Sequence, residues 1–325
     1  MAQDDPLRIL VIQAAFLGDV ILSTPILTNL KRIYPNCELY TLTTPLATQF
    51  FKFDPRVKQA IAFKKRDEHS GILGLFKLIE ELKSMKFDII ISLHRSIRTS
   101  FLVSRLQVEE TVGFDDAWGS FFYKKRIKRA EAPHAVLRNL SILDINDPST
   151  ELKLFPDPNY SVPEGDYVCL FPGSEWFTKK WQGFRKAAEI LISQGRKVVV
   201  LGSPQEREYN KKLMSDLLVD DLTGITNIPQ TMKIVAESKG VICNDSMALH
   251  MASAFKIPRV SVFCATSPQF GFGPWGERGE VIEDLYLPCK PCRRHGSNRC
   301  PTGTNLCMTR VKASDVISRL DELSY

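Results

Sequence analysis

The sequence predicts an α/β protein: two βαβ halves, each a mostly parallel sheet with helices on both faces, set about a cleft. Three observations predict it. Short β-branched runs alternate with longer amphipathic stretches, the pattern of a parallel sheet with crossover helices. The strand-like runs pass through short turns directly into helix-like periodicity. One polar, proline-rich interval separates two such alternations. Arg8-Ile9-Leu10-Val11-Ile12 reads as the first strand, ending in a glycine-containing turn. From 19 to 34, apolar residues recur at helical spacing (Val20, Leu22, Ile26, Leu27, Leu30, Ile33), and Pro35-Asn36 ends that helix. A strand at 38–42, a helix at 72–86 and a buried strand at 88–93 follow. The interval 144–166 has linker composition, with Asp147-Pro148, Pro156-Asp157-Pro158 and Pro163-Glu164-Gly165. Beyond it come strands at 167–171, 197–201, 240–243 and 259–263, with helices at 184–193, 206–218 and 247–255 between them. The expected domains are 1–155 and 156–325.

Composition narrows the class. The 325 residues carry 43 Lys plus Arg against 37 Asp plus Glu, a formal charge of +6. With 44% hydrophobic and 25% charged residues, disordered and fibrous classes drop out. The length supports cores that need no disulfide staples. No apolar run approaches the ~20 residues that span a bilayer. Met1-Ala2-Gln3-Asp4-Asp5-Pro6 places acids where a secretory leader has a basic region, so a cytoplasmic location is expected. The mild positive balance suits acidic ligands or an anionic membrane surface, and no nucleic acid is expected as a partner.

Three strand-to-helix turns carry candidate chemistry. Ligands of open α/β sheets bind beyond the carboxyl ends of strands, where Gln13-Ala14-Ala15-Phe16-Leu17-Gly18-Asp19 lies. It is not GxGxxG. Gly18 permits close backbone approach, and Asp19 fits either a helix cap or a functional carboxylate. Phe171-Pro172-Gly173-Ser174 leads through Lys179-Lys180 to Trp181, with lysines suited to phosphate or to a solvated loop. Cys243-Asn244-Asp245-Ser246-Met247-Ala248-Leu249-His250 takes a buried strand into a helix, whose free N–H groups and dipole favour an anion. There Asp245 or Ser246 also fits an N-cap, and His250 either faces the opening or packs in a core.

Together, Gly18-Asp19-Val20 followed by Thr24-Pro25, Lys179-x-Trp181, and Asn244-Asp245-Ser246-x-x-x-His250 resemble the bacterial heptosyltransferases of glycosyltransferase family nine. Cys289-Lys290-Pro291-Cys292, Cys300-Pro301 and Cys307-Met308 look most like the heptosyltransferase II branch. The resemblance runs from about residue 8 to 320. It implies a GT-B fold, two Rossmann-like domains with parallel sheets facing a central cleft, and catalysis without a metal. The N-terminal domain would bind the acceptor and the C-terminal domain the nucleotide sugar, with a last helix able to return to the first. The implied donor is ADP-L-glycero-D-manno-heptose. The implied acceptor is a heptose on the Kdo–lipid A inner core of lipopolysaccharide, with inversion at the anomeric carbon, at the inner face of the cytoplasmic membrane. Carried residue by residue, Asp19 matches the general base and Lys179 the diphosphate lysine. Asp245, Ser246 and His250, with Met247 and Ala248 between them, match the donor signature, and Ser174 takes a small hydroxyl position before the lysine. One position departs: the family usually has glycine where this chain has Met247. A different core-sugar transferase, an epimerase or a non-catalytic nucleotide-sugar-binding protein remains open.

Basic residues cluster three times in the first half. Lys64-Lys65-Arg66 reads as solvated charge. His94, Arg95 and Arg98 follow a strand and are expected to meet Kdo carboxylates or lipid A phosphates of the acceptor. Lys124-Lys125-Arg126-x-Lys128-Arg129 suits anionic lipid, at ~1 kcal/mol per basic residue near the surface. Cys37, Cys169, Cys243 and Cys264 stand alone in or beside strands as small hydrophobes. Cys289, Cys292, Cys300 and Cys307 form C-x2-C-x7-C-x6-C, compatible with a structural all-thiolate zinc site, with reduced thiols, or with disulfides. No catalytic role is expected of them.

Overall fold

The computed structural model describes residues 5–324; Asp4 of the acids read at the N-terminus lies outside the described residues. The chain divides into two compact units, Met1–Phe155 and Pro156–Tyr325. The first contains β1 (Arg8–Ile12), α1 (Leu17–Ile21), α2 (Thr24–Ile33), β2 (Glu38–Thr43), β3 (Val57–Ala62), α3 (Gly71–Ser84), β4 (Ile89–Ser92), α4 (Ile97–Arg105), β5 (Glu110–Phe114), β6 (Lys125–Ile127) and α5 (Ala135–Leu140). Its strands pair in the order β3-β2-β1-β4-β5-β6, all parallel. β1 and β4 are apolar on both faces and buried, as central strands covered on both sides must be. Leu10, Ile12 and Ile90 form one core with Leu78 and Ile79 of α3 and Leu102 of α4.

The expected helix over 19–34 is broken. α1 stops at Ile21 and α2 starts at Thr24, because Pro25 has no N–H to give the preceding turn. The hydroxyls of Ser23 and Thr24 donate instead to Val20 O at 2.7 Å and Ile21 O at 2.8 Å. The interval 144–166 holds no strand or helix, yet its first half is fastened. Asn29 exchanges two hydrogen bonds with the backbone of Ser149, Arg56 donates to Lys153 O at 3.1 Å, and Leu152 and Leu154 are buried.

The second unit contains β7 (Tyr167–Phe171), α6 (Phe184–Ser193), β8 (Lys197–Val200), α7 (Arg207–Leu213), β9 (Asp220–Asp221), α8 (Ile228–Glu237), β10 (Gly240–Asn244), α9 (Met247–Ala254), β11 (Arg259–Val262), β12 (Gly279–Ile282), α10 (Leu306–Thr309) and α11 (Ala313–Glu322). The order is β12-β11-β10-β7-β8-β9, again all parallel. The helix expected over 206–218 is shorter: Asn210 is buried and donates to Thr223 Oγ1 at 2.9 Å, and α7 ends three residues later. The last helix, α11, packs within its own unit, against α6, β10 and β11, with Val316, Ile317 and Leu320 in the core. In each unit the strand order reverses beside the first strand, between β1 and β4 and between β7 and β10. Ligands of such sheets bind outside the carboxyl ends at that switch point. No helix among the described residues is long and apolar enough to cross a membrane.

Candidate functional site

The first unit places the β1–α1 turn and the segment after β4 at its switch point. Leu93 N donates to Ile12 O and Gln13 N to Leu42 O, so the ladder continues into the turn. Asp19 is the third residue of α1 and half-buried; the capping position belongs to Phe16. Asp19 is therefore not the N-cap residue; it is the acidic residue of the first turn of α1, where the helix dipole also favours it.

Lys65 departs from the expectation of solvated charge. It follows Phe63 at the end of β3, and its Nζ donates to Ala14 O, in the same turn, at 2.6 Å. It stands 3.5 Å from His94 Nε2 and 5.1 Å from the Phe63 ring centre. Burial pushes its pKa down to about 8, with the Arg98 charge adding to the effect. His94 is pushed down to about 4, first by burial and then by Lys65 and Arg95. His94 is thus neutral near pH 7. An ammonium can only donate, so Nε2 accepts and Nδ1 carries the proton toward Thr99 Oγ1, 2.7 Å away. Arg98 lies over the same Phe63 ring at 5.5 Å and donates to the carbonyls of His69 and Gly71. Arg95 turns to Asp116 at 2.5 Å. Lys65, His94 and Arg98 therefore gather at one end of the sheet, and Arg95 is engaged elsewhere. Sequence reasoning missed Lys65 because a basic triplet gives no sign of which member turns inward.

In the second unit Asn244 organises the site. It ends β10, is fully buried, and its Nδ2 donates to Pro172 O at 2.9 Å and Gly173 O at 3.1 Å across the switch point. Its Oδ1 accepts from Trp181 N at 2.9 Å, which fixes the lysine loop. Trp181 itself is core: its Nε1 donates to Val311 O at 3.0 Å and its ring meets Phe184 edge-on. A Cβ at Gly173 would meet the Glu206 carboxylate, which would have to move; Ser174 beside it is half-buried.

Lys179 Nζ is 2.6 Å from Asp245 Oδ2 and 3.3 Å from Asp245 O. The same Oδ2 accepts from Thr266 Oγ1 at 2.7 Å. Thr266 follows β11, the strand next to β10, and no motif announced it. Asp245 thus holds the ammonium at the start of α9, where Ser246 caps with its backbone only and leaves its hydroxyl off the helix amides. Met247 is half-buried, and Ala248 and His250 are buried on the first turns. A lysine with three N–H donors, two of them directed at Asp245, retains one for a ligand. Beside it the α9 amides and dipole favour an anion.

The 289–307 loop packs on this site. Ser297 O accepts from both Thr178 N and Thr178 Oγ1 at 3.0 Å. His295 is pushed down by burial, then by Arg294 and Lys179, with Asp245 opposing. All eight cysteines are free thiols. Among the described residues, the group of three or more metal-ligating side chains with all donor atoms within 4.8 Å is Glu68, His69 and Glu81. His69 Nδ1 accepts the Lys64 amide at 3.2 Å, and its Nε2 lies 3.5 Å from Glu81 Oε2.

The comparisons with known proteins agree with one another. The family model described as glycosyltransferase family 9 (heptosyltransferase) matches residues 75–301, which include Lys179 and the 244–250 turn and exclude Asp19. Lipopolysaccharide heptosyltransferase 1 of Pseudomonas aeruginosa is 23% identical, over 98% of each chain. The solved structure of Escherichia coli ADP-heptose lps heptosyltransferase II superposes with a TM-score of 0.79 at 20% identity, covering 98% of each chain. The glycosyl transferase family 9 structure from Veillonella parvula superposes at 0.83 with 22% identity, over 100% of this chain and 99% of that one.

Proposed function

Since the chain belongs to glycosyltransferase family 9, the heptosyltransferases, and is therefore a glycosyltransferase, we propose that it moves L-glycero-D-manno-heptose from ADP-heptose to the inner core of lipopolysaccharide. The carrying observation is Lys179, held by Asp245 beside the N-terminus of α9, a cationic seat for a departing diphosphate. The E. coli relative's name carries the same donor. Ser174, Ser246, the amides of Met247 and Ala248, and His250 complete the donor side. Asp245 is assigned to positioning the lysine, since a carboxylate repels phosphate.

In this reading the first unit takes the acceptor, a heptose on Kdo–lipid A. Asp19 accepts the proton of the attacking hydroxyl. The oxygen bonds to the anomeric carbon on the face opposite ADP, the C–O bond to the diphosphate breaks, and the configuration inverts. Lys65 and Arg98 are assigned to the acidic groups of the acceptor, Lys65 being the one that touches the Asp19 turn; neutral His94 orients Lys65, and Arg95 joins them only by leaving Asp116. No metal takes part in these steps.

The first unit also suits an anionic membrane surface. Ile72, Leu73, Phe76, Trp118 and Phe121 are exposed, Leu73 at 86% and Trp118 at 78%. An edge-to-face chain Phe76–Phe101–Phe122 and the Phe121–Phe122 pair join Phe76 of α3 to Phe121. Lys124, Lys125 and Arg126 follow directly and are exposed. The deciding experiment is turnover of ADP-heptose and UDP- and GDP-sugars with heptosylated and unheptosylated Kdo–lipid A. Release of ADP dependent on the heptosylated acceptor is expected, with Asp19→Asn about 10²-fold slower in kcat. Turnover of a different donor, or an Asn variant near wild-type rate, overturns the reading at donor or base respectively.

A further inference from the structure

The seat around Lys179 is short of positive charge. Lys179 and Asp245 form an ion pair at 2.6 Å, so their charges cancel, and the N-terminus of α9 adds roughly half a charge. A departing nucleoside diphosphate is multiply anionic. Stabilising it calls for a further cation held at the seat. Lys180, next in sequence, is turned elsewhere: its Nζ lies 4.8 Å from the centre of the Tyr209 ring in α7.

The segment between β12 and α10 is fastened on both sides of that ion pair. Cys292 N donates to Ala265 O at 2.9 Å, beside the Thr266 that holds Asp245. Ser297 N donates to Thr178 Oγ1 at 2.9 Å, and Ser297 O accepts from the Thr178 amide at 3.0 Å; Thr178 is buried and precedes Lys179. Only residues 293–296 cross between these anchors, a strap that reaches at most ~18 Å when fully extended. Gly296, at φ +81, is buried, and a Cβ there would come within 3.2 Å of Lys179 Cγ. The strap backbone therefore lies against the lysine stem.

The cations of this segment differ in what they meet. Outside the crossing, Lys290 pairs with Glu283 and Arg310 with Asp284. Arg293 and Arg294, within it, are exposed, and neither pairs with a carboxylate among the described residues. Partial burial lowers the neighbouring His295, and Arg294 and Lys179 lower it further while Asp245 opposes them, so the Arg294 charge is felt beside the seat. We propose that Arg294 is the second cation of the donor site, reaching the diphosphate of the nucleotide sugar from the strap while Lys179 holds it from the α9 side. Paired guanidinium N–H groups match phosphate oxygens bidentately, and these bonds strengthen as the C–O bond breaks and charge gathers on the leaving ADP. The inference rests on Lys179 as the diphosphate lysine.

ADP binding to the full chain is measured by calorimetry for the wild type, Lys179→Ala, Arg293→Gln, Arg294→Gln and Arg294→Lys, each with its urea midpoint as a check on folding. Arg294→Gln is expected to weaken ADP by about tenfold or more, the worth of one hydrogen bond between charged groups, with part of that loss recovered in Arg294→Lys. Arg293→Gln is expected to change ADP affinity less than about threefold, as a screened surface charge does. Wild-type affinity in Arg294→Gln, where Lys179→Ala is impaired, overturns the strap cation and leaves the donor reading standing. Equal losses in Arg293→Gln and Arg294→Gln overturn the assignment, because they report only the strap's overall charge. Wild-type affinity in Lys179→Ala removes the donor reading itself.

Discussion

Lys65 shows how a single residue's surroundings set its chemistry. Its charge is held at neutral pH but is lost as pH rises through about 8, well below an ordinary lysine. An anionic acceptor that relies on this ammonium binds best below that pH. The acceptor KM is expected to rise up to about tenfold between pH 7 and 9, and to stay flat in Lys65→Gln, whose KM is already high. An identical rise in the variant assigns the titration to another group. His94 does not interfere, since it gains charge only below about pH 4. The sequence showed that cations lie near this strand end. It could not show that Lys65 leaves the solvent while Lys64 stays out with Glu68 at 2.6 Å.

At the scale of elements, the strand ends β7 and β10 are joined by one side chain. Asn244→Ala removes three hydrogen bonds and leaves Trp181 N–H, Pro172 O and Gly173 O buried without partners. Such groups cost about 1–3 kcal/mol each, so a loss of roughly 2 kcal/mol or more is expected in urea unfolding. A midpoint equal to wild type would show that the loops hold without this link. The central strands were legible in the sequence because burial on both faces demands unbroken apolar runs. Edge strands were not: β6 is Lys125-Arg126-Ile127 and β9 is Asp220-Asp221, made strands only by pairing with a neighbour. The break between α1 and α2 was written in Pro25, but the hydrophobic period continues through it.

For the whole molecule, the exposed aromatic patch and the following cations predict membrane attachment without a spanning helix. The chain should sediment with vesicles containing anionic phosphatidylglycerol and far less with pure phosphatidylcholine, and added salt should release it. Replacing Trp118 and Phe121 by Ser should weaken vesicle binding about tenfold or more, while turnover of a short, lipid-free acceptor stays unchanged. Vesicle binding that survives the double replacement removes the patch from this role. A concentration-dependent dimer that the same replacement abolishes assigns the patch to self-association.

What the sequence alone determined was the repeated strand–turn–helix order, the position of the polar interval, and the three turns in which Asp19, Lys179 and Asp245 lie. Those follow from local rules, since periodicity, proline and glycine act within a few residues of themselves. Only the tertiary structure decided which side chains meet. Asp245 finds Lys179 across 66 positions, Thr266 reaches Asp245 from the loop after the next strand, and Ser297 closes on Thr178 across 119. Parallel strands return their carboxyl ends to one edge of a sheet from distant parts of the chain. Partners assembled there are set by strand order, which no local pattern encodes.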